Sequence, residues 1–275
     1  MKKLLPLILG FGINIIGIFN SKRAAKIAMR LFSTPLKGKT RPHELNYLKK
    51  ATIQNYNYNN LTIKTYTWQG NKETILLVHG WESNAFRWQE LINLLKPLHY
   101  NIVAIDAPAH GSSQGKKFNA IMYADCINII ANKIKASYII GHSIGGMSTV
   151  FAMCNAPIPS VKKIILLGAP SNFMGIFKRY THLMRYSNKV KVAITKNIIK
   201  TFGHPPKHFS SALYSKQLKC DGLIVHDKQD RIIPYQDALD FKAHFTNAKL
   251  ISTTGLGHAL KSNRIYNQII SFLNA

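Results

Sequence analysis

The stretch that decides the fold is Ala136–Gly146, A-S-Y-I-I-G-H-S-I-G-G. Tyr138, Ile139 and Ile140 form an apolar run that ends on Gly141-His142-Ser143-Ile144-Gly145, a G-x-S-x-G pattern. Met147–Cys154 then continues in small and apolar residues suited to a helix. Strand, glycine-flanked serine, helix is the setting of a nucleophile elbow. The glycines have a steric purpose there: a serine on so sharp a turn sits at an uncomfortable backbone angle, and neighbours without a Cβ let the chain fold back on both sides. The first amides of the following helix then point to where an oxyanion would form. The same letters also fit a plain glycine-rich βα turn, so the rest of the chain has to separate the two.

Working outward, Thr74–Val78 (T-I-L-L-V), Asn101–Ile105 (N-I-V-A-I), Lys163–Leu167 (K-I-I-L-L) and Gly222–His226 (G-L-I-V-H) read as strands buried on both faces. Lys249–Ser252 reads as a further strand, and Leu61–Trp68 alternates like a half-exposed strand at a sheet edge. Helical patterns lie between them: from Ser83 (a candidate N-cap) to Pro97, from about Phe118 to Ile134, over Tyr235–Phe245 and over Asn263–Leu273. Buried strands alternating with helices predict an α/β fold with a mostly parallel central sheet covered on both faces. In such a sheet, functional groups collect beyond the carboxyl ends of the strands. Asp227 and Asp230 follow the strand Gly222–His226, and His258 follows Lys249–Ser252 in the setting Gly255-Leu256-Gly257-His258. The chain therefore presents serine, then acid, then histidine, each after a different strand, in the order used by α/β-hydrolases.

From about Thr74 to the C-terminus the chain resembles the α/β-hydrolase superfamily, and within it bacterial serine hydrolases with an H-G-W-E-S motif and a D-A-P-A-H-G turn. The residues that carry the resemblance are His79-Gly80-Trp81-Glu82-Ser83, Asp106-Ala107-Pro108-Ala109-His110-Gly111, Gly141–Gly146, Asp230 and His258. The resemblance implies a small helical cap inserted in the fold and a serine triad: Ser143 as nucleophile, His258 as general base and Asp230 as the acid that orients the imidazole. Asp230 is preferred to Asp227 by the family's spacing to the downstream proline, here Pro234. The backbone N–H groups of Trp81 and Ile144 would form the oxyanion hole. His79, His110 and His142 are expected to fix turns, and Asp106 to tie down its own.

Composition narrows the partners. The chain has 37 Lys+Arg against 11 Asp+Glu, a formal charge of +26. That excess suits anionic partners, yet the lysines are scattered and no nucleic-acid motif is present, so nucleic acid is not an expected partner. Cys126, Cys154 and Cys220 have neither the number nor the spacing of a disulfide framework or a cysteine zinc site. No metal and no cofactor are expected, since neither ligand spacing nor a phosphate or dinucleotide loop is found.

Residues 1–34 form a separate element, an apolar and then basic helical arm. Leu4–Asn20 is uncharged and just short of, or barely at, the length of a bilayer span, and Lys22, Arg23, Lys26 and Arg30 follow it. The arm is expected to pack on the domain or to lie on an anionic membrane surface. Residues 35–275 form the hydrolase domain, with the cap insertion at about 171–219. That segment is rich in aromatics and in Lys and Arg, and it contains no Asp or Glu. The sequence thus predicts a cytoplasmic serine hydrolase, attached to the inner membrane if the arm serves as an anchor. It would act through an acyl-enzyme on a small-molecule carboxylic ester or thioester. Acyl transfer or peptide hydrolysis by the same triad, and a membrane-surface binding protein without turnover, are the rival readings.

Overall fold

A computed structural model describes residues 4–275. In chain order the elements are α1 (Leu5–Phe19), α2 (Ser21–Ser33), α3 (Pro42–Leu48), β1 (Thr52–Tyr58), β2 (Leu61–Trp68) and β3 (Thr74–Val78). Then follow α4 (Gln89–Leu95), β4 (Asn101–Ile105), α5 (Ala120–Lys133), β5 (Tyr138–His142), α6 (Ile144–Asn155) and β6 (Lys163–Leu167). The chain continues through α7 (Phe173–Leu183), α8 (Asn188–Phe202), α9 (Ser211–Tyr214), β7 (Asp221–Asp227), α10 (Gln236–His244), β8 (Ala248–Thr253) and α11 (Asn263–Asn274). They sort into two compact units: a helical unit of the residues up to Thr34 with Asn172–Ser210, and a sheet unit of Pro35–Ser171 with Ser211–Ala275.

The sheet unit is built on eight strands in the order β1-β2-β4-β3-β5-β6-β7-β8. β1 and β2 are antiparallel, as are β2 and β4, and every other pairing is parallel. β3, β4 and β6 bury all but their first residue, and β5 buries all five. This is why their sequences are continuous runs of Ile, Leu and Val: each strand has helices or loops over both faces. The sheet is the one expected, with one difference at its margin. β2 is interior rather than an edge, because β1 pairs with it along its whole length, from Thr52↔Thr67 to Tyr58↔Leu61. Its alternation reflects a half-buried strand, with Ile63, Thr65, Tyr66 and Trp68 buried.

The helices of this unit start where polar side chains can cap them. Asn119 Oδ1 accepts the Met122 N–H at the start of α5, and Ser262 Oγ accepts the Ile265 N–H at the start of α11. The helical stretch expected from Ser83 begins instead as a 3₁₀ turn at Ala85, where Asn84 Oδ1 accepts the Phe86 N–H. The two ends of the insertion meet in this unit. Ala212 donates its N–H to the Ser171 carbonyl (2.9 Å) and Ser211 Oγ donates to the Pro170 carbonyl (2.8 Å). Ser171 in turn donates its N–H and its Oγ–H to Asp237 Oδ1, at 2.6 and 2.9 Å.

The helical unit is made of α1, α2, α7 and α8. Its core consists of Ile13, Ala24, Ala25 and Ala28 from the first two helices, packed with residues such as Phe177, Val190, Ile194 and Ile198 from the other two. Residues 1–34 and the insertion, read from the sequence as an arm and a cap, thus supply one core between them. The segment 211–219, read as part of the cap, lies with the sheet unit. Gly203 caps α8 in the left-handed region at φ 77° and leads into a 3₁₀ turn at Pro206–His208. Among the described residues no helix is long and apolar enough to cross a membrane.

Candidate active site

Two neighbours of the central strand β5 run away from it in opposite directions, β3 toward β4 and β6 toward β7. The crevice beyond the carboxyl ends of the strands opens at such a reversal. Ser143 stands there as the first residue after β5, with φ 54° and ψ −129°, a conformation that L-residues rarely take. What holds it is the packing of the turn. The Ser143 N–H donates to the Leu167 carbonyl at 2.8 Å, and the Ser143 carbonyl accepts from Gly146 at 2.9 Å. A Cβ on Gly145 would meet the His79 carbonyl oxygen at 2.4 Å, and one on Gly141 would meet Gly146 Cα at 2.6 Å. Both contacts are too short for any side chain, so the two flanking glycines are required by space.

The structure brings Ser143, His258 and Asp230 into one hydrogen-bonded line. His258 Nδ1 lies 2.7 Å from Asp230 Oδ2 and His258 Nε2 lies 2.9 Å from Ser143 Oγ. A carboxylate can only accept, so Nδ1 carries the proton and Nε2 presents its lone pair to the serine hydroxyl. Asp230 is held from four directions. Its Oδ1 accepts from the Ile232 and Ile233 N–H groups at 2.8 and 3.0 Å, and its Oδ2 has His226 Nε2 at 3.4 Å in addition to His258. Burial alone would raise this carboxyl, but the bonds from His226, His258 and the two N–H groups hold it well below the usual carboxylate range. The acid is therefore ionised at neutral pH.

Asp227 is used otherwise. Its Oδ2 accepts from Thr253 Oγ1 (2.7 Å) and from the Leu256 N–H (2.9 Å), while its Oδ1 accepts from the Gln229 N–H (2.9 Å). It ties the loop after β7 to the loop after β8 and does not reach His258. Asp221 is the exposed first residue of β7, at the opposite edge of the sheet. Asp106 is fully buried and fixes the loop after β4, accepting from the Ala85 and Ser112 N–H groups and from the Tyr66 hydroxyl. Gly111 has to be glycine here, at φ 51° and with the Asp106 carboxyl about where its Cβ would be.

The His79-Gly80-Trp81 loop after β3 lies against the serine: a Cβ on Gly80 would stand 2.9 Å from Ser143 Cβ. His79 braces it, donating from Nδ1 to the Gly80 carbonyl and accepting the Ala107 N–H at Nε2. His110 likewise accepts the Glu82 N–H at Nε2 and donates to the Pro108 carbonyl from Nδ1. Both rings are buried and neutral; burial lowers His79 well below the ordinary histidine value and His110 to about 4. Trp81 is partly exposed at the rim, and Ile144 opens α6 directly behind the serine.

Three further residues hold the site in place. His142 donates from Nε2 to the His258 carbonyl (2.8 Å), and Arg87 donates from Nη2 to the Ala259 carbonyl (3.1 Å). His226 donates to the Ile233 carbonyl at 2.9 Å while facing Asp230. Arg87 and His226 act on backbone carbonyls or on another side chain's far oxygen, and no sequence spacing marks either. Among the described residues no cluster of His, Cys, Asp and Glu could hold a metal ion, and the three cysteines are free.

Comparisons with known proteins bear on the fold and the class of the chain. The family model described as alpha/beta hydrolase fold matches residues 73–188. The uncharacterized hydrolase YugF of Bacillus subtilis is 23% identical over 70% of this chain and 86% of that protein. A pimeloyl-[acyl-carrier protein] methyl ester esterase of Pectobacterium carotovorum is 35% identical, over 38% of this chain and 42% of the esterase. Among solved structures, the meta-cleavage product hydrolase of Pseudomonas fluorescens superposes with a TM-score of 0.62 at 16% identity, covering 82% of this chain and 98% of that one. The chain has the α/β-hydrolase fold. It is an enzyme of the hydrolase class.

Proposed function

We propose that the chain is a serine hydrolase that cleaves a carboxylic ester or thioester of a small molecule through an acyl-enzyme. The observation that carries the reading is the line Ser143 Oγ, His258 Nε2, His258 Nδ1, Asp230 Oδ2, with spacings of 2.9 and 2.7 Å at its two hydrogen bonds. Ser143 Oγ attacks the acyl carbon as its proton passes to His258 Nε2. Asp230 keeps the imidazole in the required tautomer and stabilises the imidazolium. The oxyanion is received by the N–H groups of Ile144 and Trp81, a role supported by the close seat of Gly80 against Ser143. The same proton then goes to the departing alcohol or thiol, leaving the acyl group on Ser143. Water, deprotonated by His258, attacks the acyl-enzyme, and the same proton passes to Ser143 Oγ as the acyl–oxygen bond breaks and the acid leaves. Losing one oxyanion donor typically costs on the order of 3 kcal/mol of transition-state stabilisation.

The ester class is supported by the relative named as a methyl ester esterase. A polar approach to the base is supported by the open depression of about 630 Å³ bordered by Gln229, Arg231, Gly255 and His258. The test is labelling by a fluorophosphonate beside Ser143→Ala and His258→Ala, followed by a chain-length series of p-nitrophenyl esters and acyl thioesters. Stoichiometric labelling at Ser143 that is absent from both variants is the expected result. Folded wild type that neither labels nor turns over any ester would discard the reading and favour a binding protein without turnover.

A further inference from the structure

The first helix is packed the wrong way round for a helix of a water-soluble unit. A surface helix ordinarily turns its large apolar residues inward and its small or polar ones to solvent. α1 does the reverse. Its inner face is Gly10, Ile13 and Gly17, where a Cβ on Gly10 would lie 1.7 Å from the Met184 carbonyl oxygen and one on Gly17 would lie 2.6 Å from Val190 Cγ2. The outward positions, four and three residues apart, are Leu4, Ile8, Phe11, Ile15 and Ile18, with Phe19 beside them. Phe11, Ile8 and Ile18 are each about two-thirds exposed and Phe19 is 85% exposed. The helix is also fixed in this orientation. Asn14 bonds through both ends of its amide, to the Arg185 carbonyl and the Ser187 N–H, and Lys189 Nζ donates to the Ile18 carbonyl. A helix held by its glycines and its one asparagine cannot roll its large side chains inward.

The charge of the same unit says what meets this face. The helical unit carries fourteen Lys and Arg and no Asp or Glu. Directly after α1, the exposed face of α2 presents Lys22, Arg23, Lys26 and Arg30. A second copy of a surface so uniformly positive would be repelled. An apolar strip beside a basic one complements an anionic bilayer, where apolar side chains enter the acyl boundary and cations lie among the headgroups.

We propose that the outward face of α1, with the basic face of α2, docks the protein on an anionic lipid surface, lying on the bilayer rather than crossing it. The proposal does not rest on the hydrolase chemistry, and it is tested on the full chain by co-sedimentation with vesicles of phosphatidylcholine alone and of phosphatidylcholine with an equal part of phosphatidylglycerol. Binding to the anionic vesicles only, weakening as salt rises, is expected. Phe11→Ser with Ile15→Ser should lower it at least tenfold, and Lys22→Gln and Lys26→Gln about fivefold each. All of these side chains are exposed, so thermal unfolding and fluorophosphonate labelling should match wild type. No binding by wild type, or equal binding by wild type and the Phe11/Ile15 variant, would overturn the proposal. So would a dimer in sedimentation velocity that the Phe11/Ile15 variant disperses, since the face would then belong to a second copy.

Discussion

The sheet unit and the helical unit spend their charged residues in opposite ways. All eleven acidic residues of the chain lie in the sheet unit. Asp106, Asp227, Asp230 and Asp237 are buried there, and each fixes a loop or a side chain at a strand end by several hydrogen bonds. The helical unit holds its core with alanine, valine and isoleucine beside Phe177, Met184 and Tyr186, and keeps its positive charge outside. A buried carboxylate is costly unless paired and bonded, so it persists where geometry has to be exact to a few tenths of an ångström. The unit without such groups has no comparable geometry to defend. The contrast teaches where precise chemistry resides before any substrate is known.

The sharpest way to break this contrast is Ser143→Ala. Ester turnover should fall by a factor on the order of 10⁴ or more, with an unchanged melting temperature; turnover that survives would move the chemistry elsewhere. Next comes the separation of two neighbouring acids. Asp230→Asn should cost about 10³–10⁴ in kcat because the histidine loses its tautomer. Asp227→Asn should instead cost about 1–3 kcal/mol of stability with turnover reduced less than tenfold, measured by urea unfolding and initial rates. Equal losses of turnover in the two variants would merge the roles.

A pH series sharpens the contrast further. Burial depresses His79, His110 and His142, so the unfolded chain takes up protons first as the pH falls. Their contribution is complete above the unfolded value of about 6.5 and is lost on acidification, for His110 through the window down to about 4. Between pH 7.5 and 5 the urea midpoint should therefore fall, while the depressed carboxylates Asp227 and Asp230 are still ionised and begin to contribute losses only below about pH 4. A midpoint that holds or rises at pH 5 would show that the buried rings accept protons freely. The smallest effect belongs to the other unit: Ile194→Val should cost about 1 kcal/mol, equally at both pH values, because that unit buries no acid and no histidine.

Much of this was legible in the sequence because strands buried on both faces leave uninterrupted apolar runs. Residues 74–78, 101–105 and 163–167 coincide with β3, β4 and β6. The residues just past those runs are where candidate groups had to be sought, which is why Ser143, Asp230 and His258 could be named before any distance was known. β1 was not legible, since T-I-Q-N-Y-N-Y is an edge strand exposed along most of its length and keeps no period. α3 was hidden in a basic connector, where Glu44, bonded to the Arg41 N–H and to Asn84, marks its start only in three dimensions. The arm was the deepest ambiguity. Glycine is a poor helix former, yet in space Gly10 and Gly17 are the places where the helix is allowed to touch its neighbours. Cutting away residues 1–34 would for the same reason uncover Val190, Ile194 and Ile198 rather than release a simple tether.

The joined ends of the insertion have a consequence for how such a protein can change over time. Because Ser171 and Ala212 are bonded directly, the forty residues between them begin and finish at one point, and the entropy of closing that loop is already met by groups of the sheet unit. Segments of other lengths could be exchanged at this point without re-registering a single strand. Yet the present segment shares its core with α1 and α2, so a replacement would have to bring a matching amino-terminal pair. Novelty at this junction therefore arrives as two distant stretches of gene that must be inherited together.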